Sequence, residues 1–338
     1  NFSRRVLDMK EKNSIFTERG AINVASGAFA GALTATVICP LDVLKTRIQL
    51  QTFRNVKDFS IFRGLISISA SEGVKGLYKG LGPTLVALLP NWGVYFCTYE
   101  QLKRTLSVRL EEKGTSKAAI HMISAVGAGS STLLVTNPFW VVKTRIQSQG
   151  IPVSLNSGSI APRDPYKSTF DALRRIRREE GMKGLYSGLS ASVFGVLHVA
   201  IQFPLYESLK AHAAKLSNKD PHQLDALELI AASTASKAVA SSLTYPHEVV
   251  RAYMHVSGSG PVDGLLPTIR ALYNEGGIQS FYRGCGTNLL RATPAAAVTF
   301  TSFELTVRFL TSMAHHQGTG SSQALGGVGE TLVQGRGG

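Results

Sequence analysis

Cysteine is scarce in this sequence, and the three that occur are isolated. Cys39, Cys97 and Cys285 form no CxxC pair, so neither a zinc site nor a disulfide framework is indicated, and packing roles are expected for all three. No GxGxxG after a strand, P-loop or HExxH pair stands out either. These absences predict that the chain is not an enzyme and needs neither a metal nor a resident cofactor.

Acidic residues are few compared with basic ones. Lys and Arg number 36 against 22 Asp and Glu, which gives a net charge of +14. The basic residues are spread over loops and helix ends rather than gathered in one recognition helix, and this argues against nucleic acid as a partner. The surplus favours an anionic solute and anionic lipid.

Formal charge is missing from several long windows. Residues 21–40, 81–99, 118–142 and 188–206 carry no Asp, Glu, Lys or Arg, and a helix of about 20 residues spans the hydrocarbon layer of a bilayer. Windows 229–246 and 284–303 are similar except for Lys237, which either reaches an inner cavity or snorkels, and Arg291. The pattern predicts six membrane-spanning helices, with a soluble all-helical protein as the competing interpretation.

A proline followed five positions later by a basic residue occurs three times. The copies are Pro40-Leu-Asp-Val-Leu-Lys45, Pro138-Phe-Trp-Val-Val-Lys143 and Pro246-His-Glu-Val-Val-Arg251. Each is followed by a Glu-Gly pair and an aromatic-x-Gly element: Glu72-Gly73 with Tyr78–Gly80, Glu180-Gly181 with Tyr186–Gly188, and Glu275-Gly276 with Tyr282–Gly284. The spacing of about 100 residues fits one helical module repeated three times. We predict repeats at 21–115, 116–222 and 223–314, after an N-terminal segment 1–20 and before a disordered tail 315–338.

Together these motifs resemble the mitochondrial carrier family. The resemblance implies an all-α membrane protein whose six transmembrane helices form a three-fold pseudo-symmetric barrel, with short helices on the matrix side. It also implies transport of one solute at a time by alternating access, a monomer, and cardiolipin as a lipid partner. The expected location is the mitochondrial inner membrane, with the plastid envelope or another organelle membrane as the alternative.

The family resemblance assigns residues to two gates. At the matrix gate it implies that Asp42 pairs with Lys143 and Glu248 with Lys45, while Trp140 stands where an acid is expected and faces Arg251 through a cation–π contact. At the cytoplasmic gate it implies the pairs Glu100–Lys210 and Glu304–Lys103. Val307 occupies the basic position of the third copy, which leaves Glu207 without its expected partner unless Arg308 reaches it.

Carriers bind their solute midway along the even-numbered helices, and alignment of the repeats gives the matching positions here: Ala87, Asn91, Trp92 and Tyr95; Gly195, Val196, His198 and Gln202; Asn288 and Arg291. Arg291 is expected to bind phosphate, because a guanidinium inside a span needs water and an anion. Gly195 is expected to let adenine approach the backbone, and Trp92 to stack on a second base. His198 is either a hydrogen-bonding partner or a packed interior histidine.

Trp140 indicates a subgroup of the family. With a tryptophan in this position, the second motif resembles that of the carriers of NAD, of folate or FAD, and of pyrimidine nucleotides. Stretches 187–189, 198–204 and 243–251 look most like the NAD carriers. We therefore expect exchange of NAD⁺ against AMP, ADP or a related nucleotide, with NAD⁺ as cargo and not as a cofactor. The alternatives are a folate, FAD or pyrimidine nucleotide carrier, or a scaffold that keeps the fold and transports nothing.

Overall fold

The structure is a computed structural model that describes the backbone of residues 2–50, 60–110, 116–150, 165–195, 197–217, 220 and 224–333. Side chains are described for most of residues 25–313 within these ranges. The predicted site residue Val196 lies outside the described residues.

Helices make up the regular structure of the described ranges, which contain no strand. Their bounds are α1 (Phe2–Gln49), α2 (Ile61–Glu72), α3 (Val74–Leu77), α4 (Leu81–Leu110), α5 (Lys117–Gln147), α6 (Thr169–Glu179), α7 (Gly181–Leu185), α8 (Leu189–Phe194), α9 (Leu197–Leu216), α10 (Ala226–Ser257), α11 (Leu265–Gly276), a 3₁₀ helix (Gly277–Tyr282) and α12 (Cys285–Val333). Six of them contain an internal proline: α1, α4, α5, α9, α10 and α12. Because proline removes a helical hydrogen bond, each of these helices has a weak point where it can bend.

The residues fall into two compact units. One consists of residues 1–34 and 295–338, and the other of residues 35–294. Within the first unit, the hydroxyls of Thr34 and Thr299 are 2.8 Å apart. The second unit contains all three proline motifs, so the matrix-gate residues belong to one body.

Three apolar clusters hold the proline ends of α1, α5 and α10 against their short helices. In the first repeat, Val43 and Leu44 pack with Ile68 of α2, and in the second, Val141 and Val142 pack with Ile176 of α6. The cluster of the third repeat packs residues of α10 against α11. Each short helix therefore fixes the residues two and five positions after the proline, where the gate side chains lie.

Two stretches, Ala25–Gln49 and Ala119–Gln147, are long and apolar enough to cross a membrane by length and composition. The sequence predicts six spans. The other proline-containing helices carry more polar and charged side chains, which lowers their hydropathy as expected of helices that line a polar path.

Two expectations on local structure need correction. The window predicted to be one span at 188–206 is broken at Gly195, where i to i+3 hydrogen bonds join Gly195 to Ser192 and His198 to Gly195. The disordered tail at 315–338 stays a prediction. Cys39 packs in the first cluster, but Cys97 is exposed and has no packing role.

Candidate functional site

Two ion pairs connect the proline ends of the repeats. The Asp42 carboxylate accepts a hydrogen bond of 3.0 Å from Lys143, and Glu248 pairs with Lys45. Side-chain exposure lies between 13% and 30%, so the charges are shielded from bulk water and attract more strongly than surface pairs. The structure thus joins both pairs that the sequence predicts at the matrix gate.

Arg291 and Asn288 of α12 join these two pairs into one network. Arg291 pairs with the second oxygen of Asp42 and donates to Asn288 Oδ1 at 3.2 Å. The same amide oxygen accepts from Lys45 at 2.9 Å. We call this set the proline-end network; its members are Asp42, Lys45, Lys143, Glu248, Asn288 and Arg291. Two residues predicted only as substrate contacts are therefore also gate residues in this state.

The proline-end network contains more positive than negative charge. Asp42 and Glu248 face three cations, Lys45, Lys143 and Arg291. The side chain of Arg291 is 32% exposed, and its Nε is buried with no hydrogen-bond partner in the described part of the chain. The three cations are not neutralised by the two carboxylates, and this surplus of positive charge favours an anion near Arg291.

The predicted contact between Trp140 and Arg251 is wrong in its partner. The cation over the Trp140 ring is Lys143, whose Nζ lies 5.2 Å from the ring centroid, and the indole N–H donates to Thr136 at 3.1 Å. Arg251 instead donates through Nε to His255 Nε2 at 3.3 Å. Because position 140 is a tryptophan and not an acid, Arg251 finds no carboxylate there and uses the imidazole as its acceptor. Its Nη2 remains buried without a hydrogen-bond partner in the described residues.

A second layer of contacts between repeats lies next to the network. Thr46 donates to the Gln147 amide oxygen at 2.8 Å, and Thr144 is 2.9 Å from His255 Nδ1. Gln49, the first-repeat equivalent, donates to the Tyr245 hydroxyl at 3.0 Å. Sequence reasoning missed this layer, although Gln49, Gln147 and His255 follow the three prolines at one spacing and could have been found by aligning the repeats.

Buried arginines fix the short helices to the long ones. Arg47 pairs with Glu72 at 2.8 Å, and Arg145 Nη2 donates to Glu180 at 2.6 Å. Glu72 also pairs with Lys79 at 2.6 Å. Burial alone raises the pKa of Glu72, but the hydrogen bonds from Arg47 and Lys79 outweigh burial and lower the pKa below its ordinary value. The Glu-Gly glutamates are therefore structural anchors for the gate.

On α4 the predicted substrate contacts are only partly open. Ala87 is 1% exposed, so its side chain is closed to solute in this structure, and its substrate contact stays a prediction. Asn91 and Tyr95 are half-buried. Trp92 is exposed and stacks on Phe96 with ring centroids 5.7 Å apart.

Around the break between α8 and α9, two histidines from different helices lie close together. His198 Nδ1 is 3.4 Å from the Thr244 hydroxyl, and His247 Nδ1 hydrogen-bonds the Thr244 carbonyl oxygen. A Cβ atom at Gly195 would lie 3.0 Å from His247 Nε2. The open approach to the backbone predicted at Gly195 is thus occupied by an imidazole, while Gln202 is half-buried further along α9.

The residues predicted for the cytoplasmic gate are less paired. Glu100 and Glu207 are exposed, Lys103 and Lys210 are half-buried, and no ion pair joins Glu100 to Lys210 within the described residues of their unit. Glu304 pairs with Arg308 one turn along α12. Within residues 35–294, the predicted gate pairs that the structure describes are those at the proline end.

Comparison with known proteins places these observations in a family. The family model "Mitochondrial carrier protein" matches residues 17–110, 114–217 and 222–314.

Curated relatives are similar over most of the chain. "Nicotinamide adenine dinucleotide transporter 1, chloroplastic" of Arabidopsis thaliana is 47% identical over 85% of this chain and 91% of the relative. "Nicotinamide adenine dinucleotide transporter 2, mitochondrial" of the same plant is 44% identical over 88% and 83%. "Mitochondrial nicotinamide adenine dinucleotide transporter 1" of Saccharomyces cerevisiae is 41% identical over 84% and 75%.

Proposed function

Because this chain belongs to the mitochondrial carrier family, we propose that it transports NAD⁺ across a membrane by exchange. The exchange runs by alternating access, and AMP, ADP or a related nucleotide is the counter-substrate. NAD⁺ is cargo here, and the chain is a transporter and not an enzyme. Three relatives that are 41% to 47% identical, and whose names state nicotinamide adenine dinucleotide transport, support this choice of solute.

The observation that carries the proposal is the second partner of Asp42. Arg291 binds a carboxylate that Lys143 already neutralises, so Arg291 can leave without exposing an unpaired acid. A nucleotide phosphate offers a guanidinium two or more oxygens in the geometry it prefers. Arg291 is therefore suited to exchange Asp42 for a phosphate of the cargo.

Phosphate binding at Arg291 would also weaken the closed end. Asn288 Oδ1 accepts from both Arg291 and Lys45, so removal of Arg291 loosens the connection between the two ion pairs. A ligand can shift a conformational equilibrium only through its differential affinity for the two states. Here the difference is the Arg291–Asp42 contact, which is made in the closed state and lost when phosphate takes its place.

The location and partners follow the same proposal. The relatives' names include both a chloroplastic and a mitochondrial protein. We propose the mitochondrial inner membrane first and the plastid envelope second, with cardiolipin as lipid partner and the monomer as the transporting unit. The net charge of +14 favours anionic lipid and an anionic cargo.

Counter-exchange in proteoliposomes tests the proposal. Vesicles loaded with NAD⁺, AMP, ADP, FAD, folate or a pyrimidine nucleotide are given labelled NAD⁺ outside, and we expect uptake with NAD⁺, AMP or ADP inside. Arg291→Ala should lower the rate at least about tenfold, because charge-assisted bonds to phosphate are lost. The exposed Arg270 on α11 supplies the control Arg270→Ala, which should transport normally. Normal exchange by a folded Arg291→Ala protein would contradict the site.

A further inference from the structure

His247 has one ring nitrogen with a hydrogen-bond partner in the described residues and one without, and it does not belong to the proline-end network. It follows Pro246 in α10 and immediately precedes Glu248 of the proline-end network. The residue is half-buried. Its Nε2 has no hydrogen-bond partner in the part of the chain that the structure describes.

The contact with Thr244 fixes which ring nitrogen carries the proton. His247 Nδ1 hydrogen-bonds the Thr244 carbonyl oxygen. A carbonyl oxygen can only accept, so Nδ1 is the donor, and Nε2 of the neutral imidazole is left as an acceptor. An acceptor is satisfied by an N–H or O–H donor on a ligand and not by a phosphate oxygen.

Gly195 keeps that acceptor uncovered. A Cβ atom at this position would lie 3.0 Å from Nε2 and 3.0 Å from the Ser192 carbonyl oxygen, which is tighter than ordinary contact. A side chain at position 195 would therefore cover Nε2 or displace the ring. With glycine at the break between α8 and α9, the ring edge lies against the backbone and no side chain of residue 195 blocks Nε2.

We propose that His247 is a specificity-determining residue that recognises adenine, with Nε2 accepting a hydrogen bond from the exocyclic amino group of the base. This inference rests on the proposed function. In an exchange of NAD⁺ for AMP or ADP, both cargoes occupy one site in turn, and the adenosine part is what they share. The contact therefore belongs to the adenine and not to the nicotinamide.

The position of His247 fits a nucleotide whose phosphate lies at Arg291. His247 is adjacent in sequence to Glu248, which binds Lys45, and Lys45 and Arg291 share the amide oxygen of Asn288. Base recognition and phosphate binding are thus connected through one continuous set of contacts. Loss of the base from His247 or of the phosphate from Arg291 therefore changes the environment of the Lys45–Glu248 and Asp42–Lys143 pairs.

Competition against labelled NAD⁺ uptake in AMP-loaded vesicles tests the inference. IMP carries a carbonyl oxygen where AMP carries the amino group, so the wild type should prefer AMP over IMP by about tenfold. His247→Gln keeps an acceptor at similar reach and should retain most of the preference. His247→Leu has no acceptor and should bind AMP as weakly as IMP, with IMP binding unchanged. The exposed His212 gives the control His212→Leu, which should retain the full preference.

Several results would overturn the inference. One is equal competition by AMP and IMP in the wild type, and another is a preserved preference for AMP in His247→Leu. An equal loss of AMP and IMP binding in that variant would indicate a packing or phosphate-binding role instead.

If His247→Leu does not fold, the wild-type protein is tested with purine riboside 5′-monophosphate. This nucleotide lacks the amino group and should compete as weakly as IMP. Competition as strong as that of AMP would reject the inference. Wild-type exchange of NAD⁺ with AMP but without a base preference overturns this inference alone, whereas exchange of folate without any response to AMP overturns the proposed function with it.

Discussion

Trp140 removes one acid from a gate in which three equivalent ion pairs would otherwise join the three repeats. Asp42 pairs with the basic residue of the second repeat and Glu248 with that of the first, so position 140 corresponds to a partner for Arg251. In its place the indole lies over Lys143, which already binds Asp42. Arg251 compensates with a hydrogen bond to His255 that is weaker than an ion pair.

Trp140→Asp should therefore stabilise the closed proline end. A carboxylate at this position supplies Arg251 with a partner for its unpaired Nη2 and should slow NAD⁺ exchange if opening of this end limits the rate. Initial exchange rates and melting temperature in detergent measure the effect. Trp140→Phe, which keeps a ring over Lys143, should leave the rate near that of the wild type. An unchanged rate and melting temperature in Trp140→Asp would mean that position 140 does not face Arg251.

At the scale of elements, a glycine directly before α4, α8 and α12 lies where one repeat contacts the next. Gly80, Gly188 and Gly284 have φ values of 90°, 75° and 81°. A Cβ atom on Gly80 would approach the Gln147 side chain to 2.7 Å, and one on Gly188 would approach His255 to 2.8 Å. Each glycine therefore serves both the left-handed turn and the contact with the next repeat.

Gly80→Ala should lower the melting temperature more than Gly150→Ala. Gly73 has ψ near 180° as well as a positive φ, a conformation that is essentially restricted to glycine, so the matched control is Gly150→Ala. Gly80 and Gly150 have φ values of 90° and 82°, and each change to alanine costs about 1 kcal/mol of backbone strain. Nothing lies within 4 Å of a Cβ on Gly150, whereas the buried Gln147 must move for Gly80→Ala, which adds about 1–3 kcal/mol. Thermal unfolding of the two purified variants measures the difference. Equal losses would show that the contact between repeats adds nothing to the turn.

The elements differ in how well they could be predicted. The prolines of α1, α5 and α10 and the basic residues after them repeat at regular spacing and predict three helical modules. The family resemblance, and not the spacing, implies the Asp42–Lys143 and Lys45–Glu248 pairs that the structure contains. The break at Gly195 could not be predicted from a charge-free window, because apolar composition is the same in a continuous and a broken helix.

At the scale of the whole molecule, one sequence serves more than one state, and this limits what the sequence predicts about the site. Arg291 was expected to bind a phosphate and Ala87 to line a binding surface. In this structure Arg291 pairs with Asp42, and Ala87 is buried. A carrier that alternates between two closed ends must use such residues differently in each state. Sequence spacing identifies the residues, but the state decides their partners.

The most direct test of the account is competition between nucleotides and folate for labelled NAD⁺ uptake by proteoliposomes that contain the wild-type chain. The account predicts that excess unlabelled AMP inhibits uptake strongly, since AMP shares the phosphate and adenine groups assigned to Arg291 and His247, and that folate has little effect. Strong inhibition by folate together with no inhibition by AMP would contradict it.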